Sequence, residues 1–136
     1  MIFPGKIEET MNEWPTYWTG SPSKPRREFR EILANLKLIW ELANTEPMTE
    51  IQQELHFKAL WILGYELSRD RIMSPNMSVV PIKLRIRLIL EDGGPLLFGY
   101  YSSDDEDRFE KCCVTFERVL RRNGLWEDYS QGMTAN

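Results

Sequence analysis

The segment Ile82-Lys83-Leu84-Arg85-Ile86-Arg87-Leu88-Ile89-Leu90 constrains the fold more than any other part of this chain, because its even positions are all aliphatic and three of its four odd positions are cationic. Strict alternation is the pattern of a half-buried strand, with one face in a core and the other in solvent. The segment is followed by Glu91-Asp92-Gly93-Gly94-Pro95, whose paired glycines suit a tight hairpin connection. The spacing therefore predicts an antiparallel hairpin. With a loop of even length, Arg87 faces Tyr100 and Arg85 faces Ser102, while Leu88, Leu90 and Leu97 share the buried side.

Helical periodicity surrounds this predicted hairpin. From Arg26 to Ala43 the apolar residues Phe29, Ile32, Leu33, Leu36, Ile39, Trp40 and Ala43 recur in steps of three and four, the stripe of an amphipathic helix. Asn44-Thr45-Glu46-Pro47 breaks it, with Thr45 as the expected N-cap and Pro47 tolerated in the first turn of a second helix over about 46–69. That second helix is apolar on nearly every side through Leu55, Phe57, Leu60, Trp61, Ile62, Leu63, Tyr65 and Leu67, as befits a central helix or one shared with a partner. The last helix opens on Ser103-Asp104-Asp105-Glu106, a capping-box pattern, and closes on Arg121, Arg122, Asn123 and Gly124. Its predicted buried stripe is Phe109, Cys112, Cys113, Phe116, Val119 and Leu120, with Leu125 and Trp126 folding back on the cap.

The expected organisation is a flexible, aromatic and proline-rich arm over 1–25, a single globular domain over 26–126 and a polar tail over 127–136. The arm carries Pro4, Pro15, Pro22 and Pro25 together with the aromatic residues Trp14, Tyr17 and Trp18. At 136 residues, with 42% hydrophobic and 28% charged residues, the chain suits one domain with one core. No apolar run reaches the roughly 18 residues that cross a bilayer. Residues 55–67, for example, are interrupted by His56, Lys58, Gly64 and Glu66. The only cysteines, Cys112 and Cys113, are adjacent and cannot bridge each other without severe strain, which fits a reducing, intracellular setting in cytoplasm or nucleus.

Catalytic chemistry finds little purchase in these residues. The single histidine, His56, lies between Leu55 and Phe57 and reads as structural rather than as an acid or base. The phosphate-loop, dinucleotide and nucleophile-elbow motifs are absent, and Cys112, Cys113 and His56 lack the Cys-x-x-Cys spacing of a zinc site. No catalytic residue, cofactor or metal is expected.

Three surfaces remain as candidates for binding. Lys83, Arg85 and Arg87, with Tyr100 opposite, form a basic strand face that could track phosphates and stack a base, or serve only to protect a sheet edge. Trp14, Tyr17 and Trp18 could anchor a partner or cover the chain's own core. Ser102, followed by Ser103 and four acids, is a candidate phosphorylation site, although helix capping explains the same residues.

These features together predict an α+β fold in which two N-terminal helices, a β-hairpin and a C-terminal helix pack on one face of a small sheet. A lone hairpin is marginal, so completion of the sheet across a homodimer or higher oligomer is expected. The functional expectation is a non-enzymatic intracellular interaction protein, an accessory, regulatory or assembly factor of the compact kind frequent among viral proteins, acting on a protein partner. The alternative is a nucleic-acid or anionic-surface binder using the basic strand face, against which the net charge of -4 weighs.

Overall fold

The computed structural model describes residues 9–14, 27–73, 80–91 and 103–130. Every regular element among them is helical: α1 (Arg27–Ala43), α2 (Glu50–Met73), α3 (Ile82–Glu91), α4 (Ser103–Arg122) and a 3-10 turn at Asp128–Ser130, with a further helical turn at 9–12. The α+β expectation is thus corrected to an assembly of helices, with no strand among the described residues. The self-association argued from an incomplete sheet loses its ground with it.

The correction turns on Ile82–Leu90, whose sequence satisfies two periods at once. A strand would place Ile82, Leu84, Ile86, Leu88 and Leu90 on one face. In α3, Ile82, Ile86 and Leu90 lie four residues apart on the same side and enter the core, whereas Leu88 is turned outward and left 41% exposed. The helix also carries Arg85 inward, to 4% exposure, where its guanidinium donates to the Leu67 carbonyl of α2 at 2.9 Å. Leu, Arg and Lys are good helix formers, and the Pro81 carbonyl accepts the first helical bond, from the Arg85 amide at 3.0 Å. Of the predicted hairpin turn over Glu91–Pro95, Glu91 is the last residue of α3, and 92–95 and the second strand lie outside the described residues.

Helices α1, α2 and α4 pack against one another, and α3 closes the assembly by lying on α1, α4 and the 3-10 turn. The stripes expected on α1 and α4 are buried in full. Helix α2 starts later than its sequence suggests: Thr49, not Thr45, caps it. The Thr49 hydroxyl accepts from the Gln52 amide at 3.1 Å, and the Gln52 side-chain oxygen accepts from the Thr49 amide at 2.9 Å, a reciprocal capping box. Thr45 instead donates its hydroxyl to the Leu42 carbonyl at 2.6 Å. At the far end, α4 stops through a Schellman motif in which Leu125 donates to Leu120 and Gly124 to Arg121. Gly124 supplies the φ of 70° that this cap requires.

The core reaches into both stretches that composition marks as loose ends. Met11 and Trp14 are buried, and the Trp14 ring lies 5.2 Å from Phe57 and 5.5 Å from Trp61, covering the outer side of α2. Tyr129, in the polar tail, is fully buried, and its hydroxyl donates to Asn35 Oδ1 of α1 at 2.8 Å. Asn35 in turn donates to the Glu31 carbonyl at 2.9 Å, so both of its buried polar ends are used.

Candidate functional site

Helices α2 and α4 run antiparallel, as three contacts at successive heights establish. Near the start of α2, Glu46 is gripped by Arg118 and Arg122. Further along, His56 meets Phe116 edge-on at 5.4 Å, and beyond it Lys58 Nζ stands 3.9 Å from Asp105. Such pairing leaves a groove on the side of α2 and α4 that no other described element covers. One part, about 290 Å³, is lined by Gln52, Leu55, His56, Arg108, Lys111, Cys112 and Thr115. A shallower part of about 40 Å³ continues past Leu55 and Arg108 to Ala59, Ile62, Asp105 and Phe109. The floor is apolar, through Leu55, Ala59, Ile62, Phe109 and Cys112, and the rim carries Lys58, Arg108 and Lys111.

The titratable groups on this floor are tuned away from reactivity. Burial pushes the Cys112 thiol up to about 11, so it stays protonated and is a poor nucleophile at neutral pH. Burial also pushes His56 below its ordinary 6.5, helped by the Arg118 charge and partly offset by Glu46. The imidazole is therefore neutral at pH 7, and its Nδ1 is buried with no hydrogen-bond partner among the described residues. Cys113, deeper in the core, is raised further, by burial first and then by Cys112 and Glu110. No group of three or more His, Cys, Asp or Glu among the described residues is placed to hold a metal ion. No described helix is long and apolar enough to cross a membrane.

The basic residues singled out in the sequence are dispersed by the helix. At 100° per residue, Lys83, Arg85 and Arg87 point in different directions instead of sharing a strand face. Lys83 is exposed, with its ammonium 5.5 Å from the centre of the Tyr129 ring. Arg85 is buried. Arg87 is paired with Glu91 at 2.8 Å, donates to the Trp126 carbonyl at 3.1 Å and stacks on the Trp126 ring at 4.6 Å. Arg121 stacks on the same ring at 4.7 Å and is itself paired with Glu117. Two of the three predicted cations thus hold the fold together. Tyr100, Ser102, Tyr17 and Trp18 lie outside the described residues, and Trp14 is committed to the core.

The groove itself escaped the sequence reading because none of its residues forms a motif. The signal available was the 4-3-4-3 spacing of Ile51, Leu55, Lys58, Ile62 and Tyr65 along α2, a seam pattern that the general apolarity of this helix obscures. No family model, curated protein or solved structure matches the chain.

Proposed function

We propose that this chain is a non-enzymatic interaction protein, an accessory or assembly factor that holds a helical segment of a protein partner in the α2–α4 groove. The observation that carries this reading is the exposed apolar band of α2 beside that groove: Ile51 is 70% and Tyr65 45% exposed, two of only four large apolar side chains left so open among the described residues. They continue the line of Leu55 and Ile62, at the spacing by which one helix receives another. At about 290 Å³ the larger part of the groove is at the bottom of the range of roughly 300–1,000 Å³ for small-molecule sites, and suits an anchoring side chain better than a whole ligand. A buried, protonated thiol and a neutral imidazole with an unpartnered nitrogen give the floor a packing role.

The reading is tested by capturing partners from the source cells on immobilised protein, with an Ile51→Asp, Tyr65→Asp double variant and a Val114→Asp control. Val114 is also well exposed but lies on the outer side of α4, away from the groove. All three side chains are at the surface, so the fold is retained, as unchanged thermal melts verify. Partners lost with the α2 pair and kept with Val114→Asp are the expected result. Recovery of the same partners by both variants refutes the groove as the binding surface.

A further inference from the structure

We propose that Asn123, in the cap that ends α4, is a site of spontaneous covalent modification, where deamidation through a cyclic imide uncaps the helix and releases the C-terminal turn docked behind it. Asn123 is the only asparagine of the chain that glycine follows. Glycine matters because the imide forms when the amide nitrogen of the next residue attacks the asparagine side chain, an approach that a following side chain obstructs. Both residues are exposed. Apart from chain neighbours, no heavy atom lies within 4 Å of the place where a Cβ on Gly124 would stand, so water and hydroxide reach the bond. Deprotonated by hydroxide, the Gly124 nitrogen attacks Cγ of Asn123. The new C–N bond forms, the Cγ–Nδ2 bond breaks, and Nδ2 leaves as ammonia after taking a proton from water. A further water then opens the five-membered ring at either carbonyl, which yields aspartate at one and isoaspartate at the other.

The folded cap keeps both reacting groups in other bonds. Asn123 Nδ2 donates to the Val119 carbonyl at 2.7 Å, and the Gly124 amide donates to the Arg121 carbonyl at 3.1 Å. The side chain is thereby turned back along α4 and the attacking nitrogen is engaged, so reaction awaits local opening of the cap. Neither product rebuilds it. Aspartate sets a carboxylate against the Val119 carbonyl and the negative end of α4. The neighbouring cations are already engaged, Arg121 with Glu117 and the Trp126 ring, Arg122 with Glu46. Isoaspartate adds one carbon to the backbone between residues 123 and 124, which misaligns the bonds from Gly124 to Arg121 and from Leu125 to Leu120. Directly behind the cap stand Trp126 and Tyr129, whose rings receive Arg87 and Lys83 of α3, with the Tyr129 hydroxyl on Asn35. Uncapping α4 therefore loosens the turn and, with it, one support of α3.

The full chain is incubated in warm, mildly alkaline buffer and, in parallel, unfolded in guanidinium chloride at the same pH, and both samples are digested and mapped by mass spectrometry. In the unfolded chain Asn123 should convert to aspartate and isoaspartate. The folded chain is expected to give the same products at least about tenfold more slowly, in proportion to the fraction of open cap. Asn44 is the internal control. It follows α1 with the same side-chain bond to the carbonyl four residues back, that of Trp40 at 2.8 Å, but precedes Thr45, and it should stay intact. The deamidated chain, separated from the parent by its extra negative charge, should exchange amide hydrogens over residues 125–130 about tenfold faster than the parent, with α1 and α2 unchanged. Asn123→Asp, which supplies the aspartate product directly, should accelerate the same amides. An Asn123 that survives intact for weeks in the folded chain overturns the site, and equal rates in the folded and unfolded chains overturn its control by the cap. Conversion of Asn44 alongside Asn123 overturns the role of glycine. Unaltered exchange over 125–130 in both the deamidated chain and Asn123→Asp overturns the release of the turn.

Discussion

Tyr129 and Asn35 are separated by 94 residues and joined by one buried hydrogen bond of 2.8 Å, so the pair reports whether the C-terminal turn is part of the cooperative fold. Tyr129→Phe keeps the ring in its pocket and removes only the hydroxyl, which leaves Asn35 Oδ1 buried without its donor. The loss is a net hydrogen bond plus the desolvation of an orphaned acceptor, about 1–2 kcal/mol. Asn35→Leu alone orphans the Tyr129 hydroxyl and the cost is of the same order. Combined, the two substitutions leave no polar atom unsatisfied at the contact, and the double variant should be destabilised by less than the sum, by about 1 kcal/mol or more. Urea unfolding followed by far-ultraviolet circular dichroism reads this directly: each single variant lowers the midpoint by roughly 0.5–1 M at unchanged slope. Additive costs, or a Tyr129→Phe variant within about 0.3 kcal/mol of the parent, would show that the turn docks without that bond.

Trp14→Ala removes a ring that is only 3% exposed and touches Phe57 and Trp61, and should cost about 3 kcal/mol in the same urea experiment. A loss under about 0.5 kcal/mol would mean that the N-terminal segment does not cover α2. The second expectation concerns pH. His56 is held below its free value of 6.5 in the folded state, so the unfolded chain binds the proton first as pH falls. Stability is therefore complete above about pH 6.5 and declines below it, through the window down to the folded value. His56→Gln should flatten that decline between about pH 7 and 5.5, and a variant with the parent's slope would remove His56 as its cause.

How much of this structure could be read beforehand depended on whether one period fitted the residues or two. The stripe Phe29, Ile32, Leu33, Leu36, Ile39, Trp40, Ala43 has no strand alternative, and all seven are buried. The α4 stripe likewise admits one reading, and Asn123-Gly124 encodes its stop because only a residue tolerant of positive φ completes the Schellman cap. The expected start of α2 at Thr45 passes over Thr49, an equally acceptable cap. Gln52, three residues after Thr49, decides between them by returning the hydrogen bond. The burial of Trp14 was one of two readings its sequence left open and that of Tyr129 was not legible at all, because what traps each is a partner distant in sequence: the Phe57–Trp61 surface for one, Asn35 for the other.

Helix α3 shows why alternation misleads. In a segment where aliphatic and cationic residues alternate, a helix needs only every fourth aliphatic residue inside, and Ile82, Ile86 and Leu90 supply that line. What remains to be accommodated is one cation facing in and one leucine facing out. Arg85 is accommodated because its long stem can lie along apolar side chains while the guanidinium reaches the Leu67 carbonyl. Leu88 is exposed at a cost below that of a fully buried leucine, about 1 kcal/mol. A strand would have spared both, but it needs neighbours for its backbone amides, and no strand among the described residues offers them. A helix satisfies its own. The same change scatters the basic face, since residues two apart on a strand share a side and residues two apart on a helix do not. Lys58, Arg108 and Lys111, from two different helices, instead converge along the α2–α4 groove, a juxtaposition made by the antiparallel register of α2 and α4 and by no contiguous stretch of sequence.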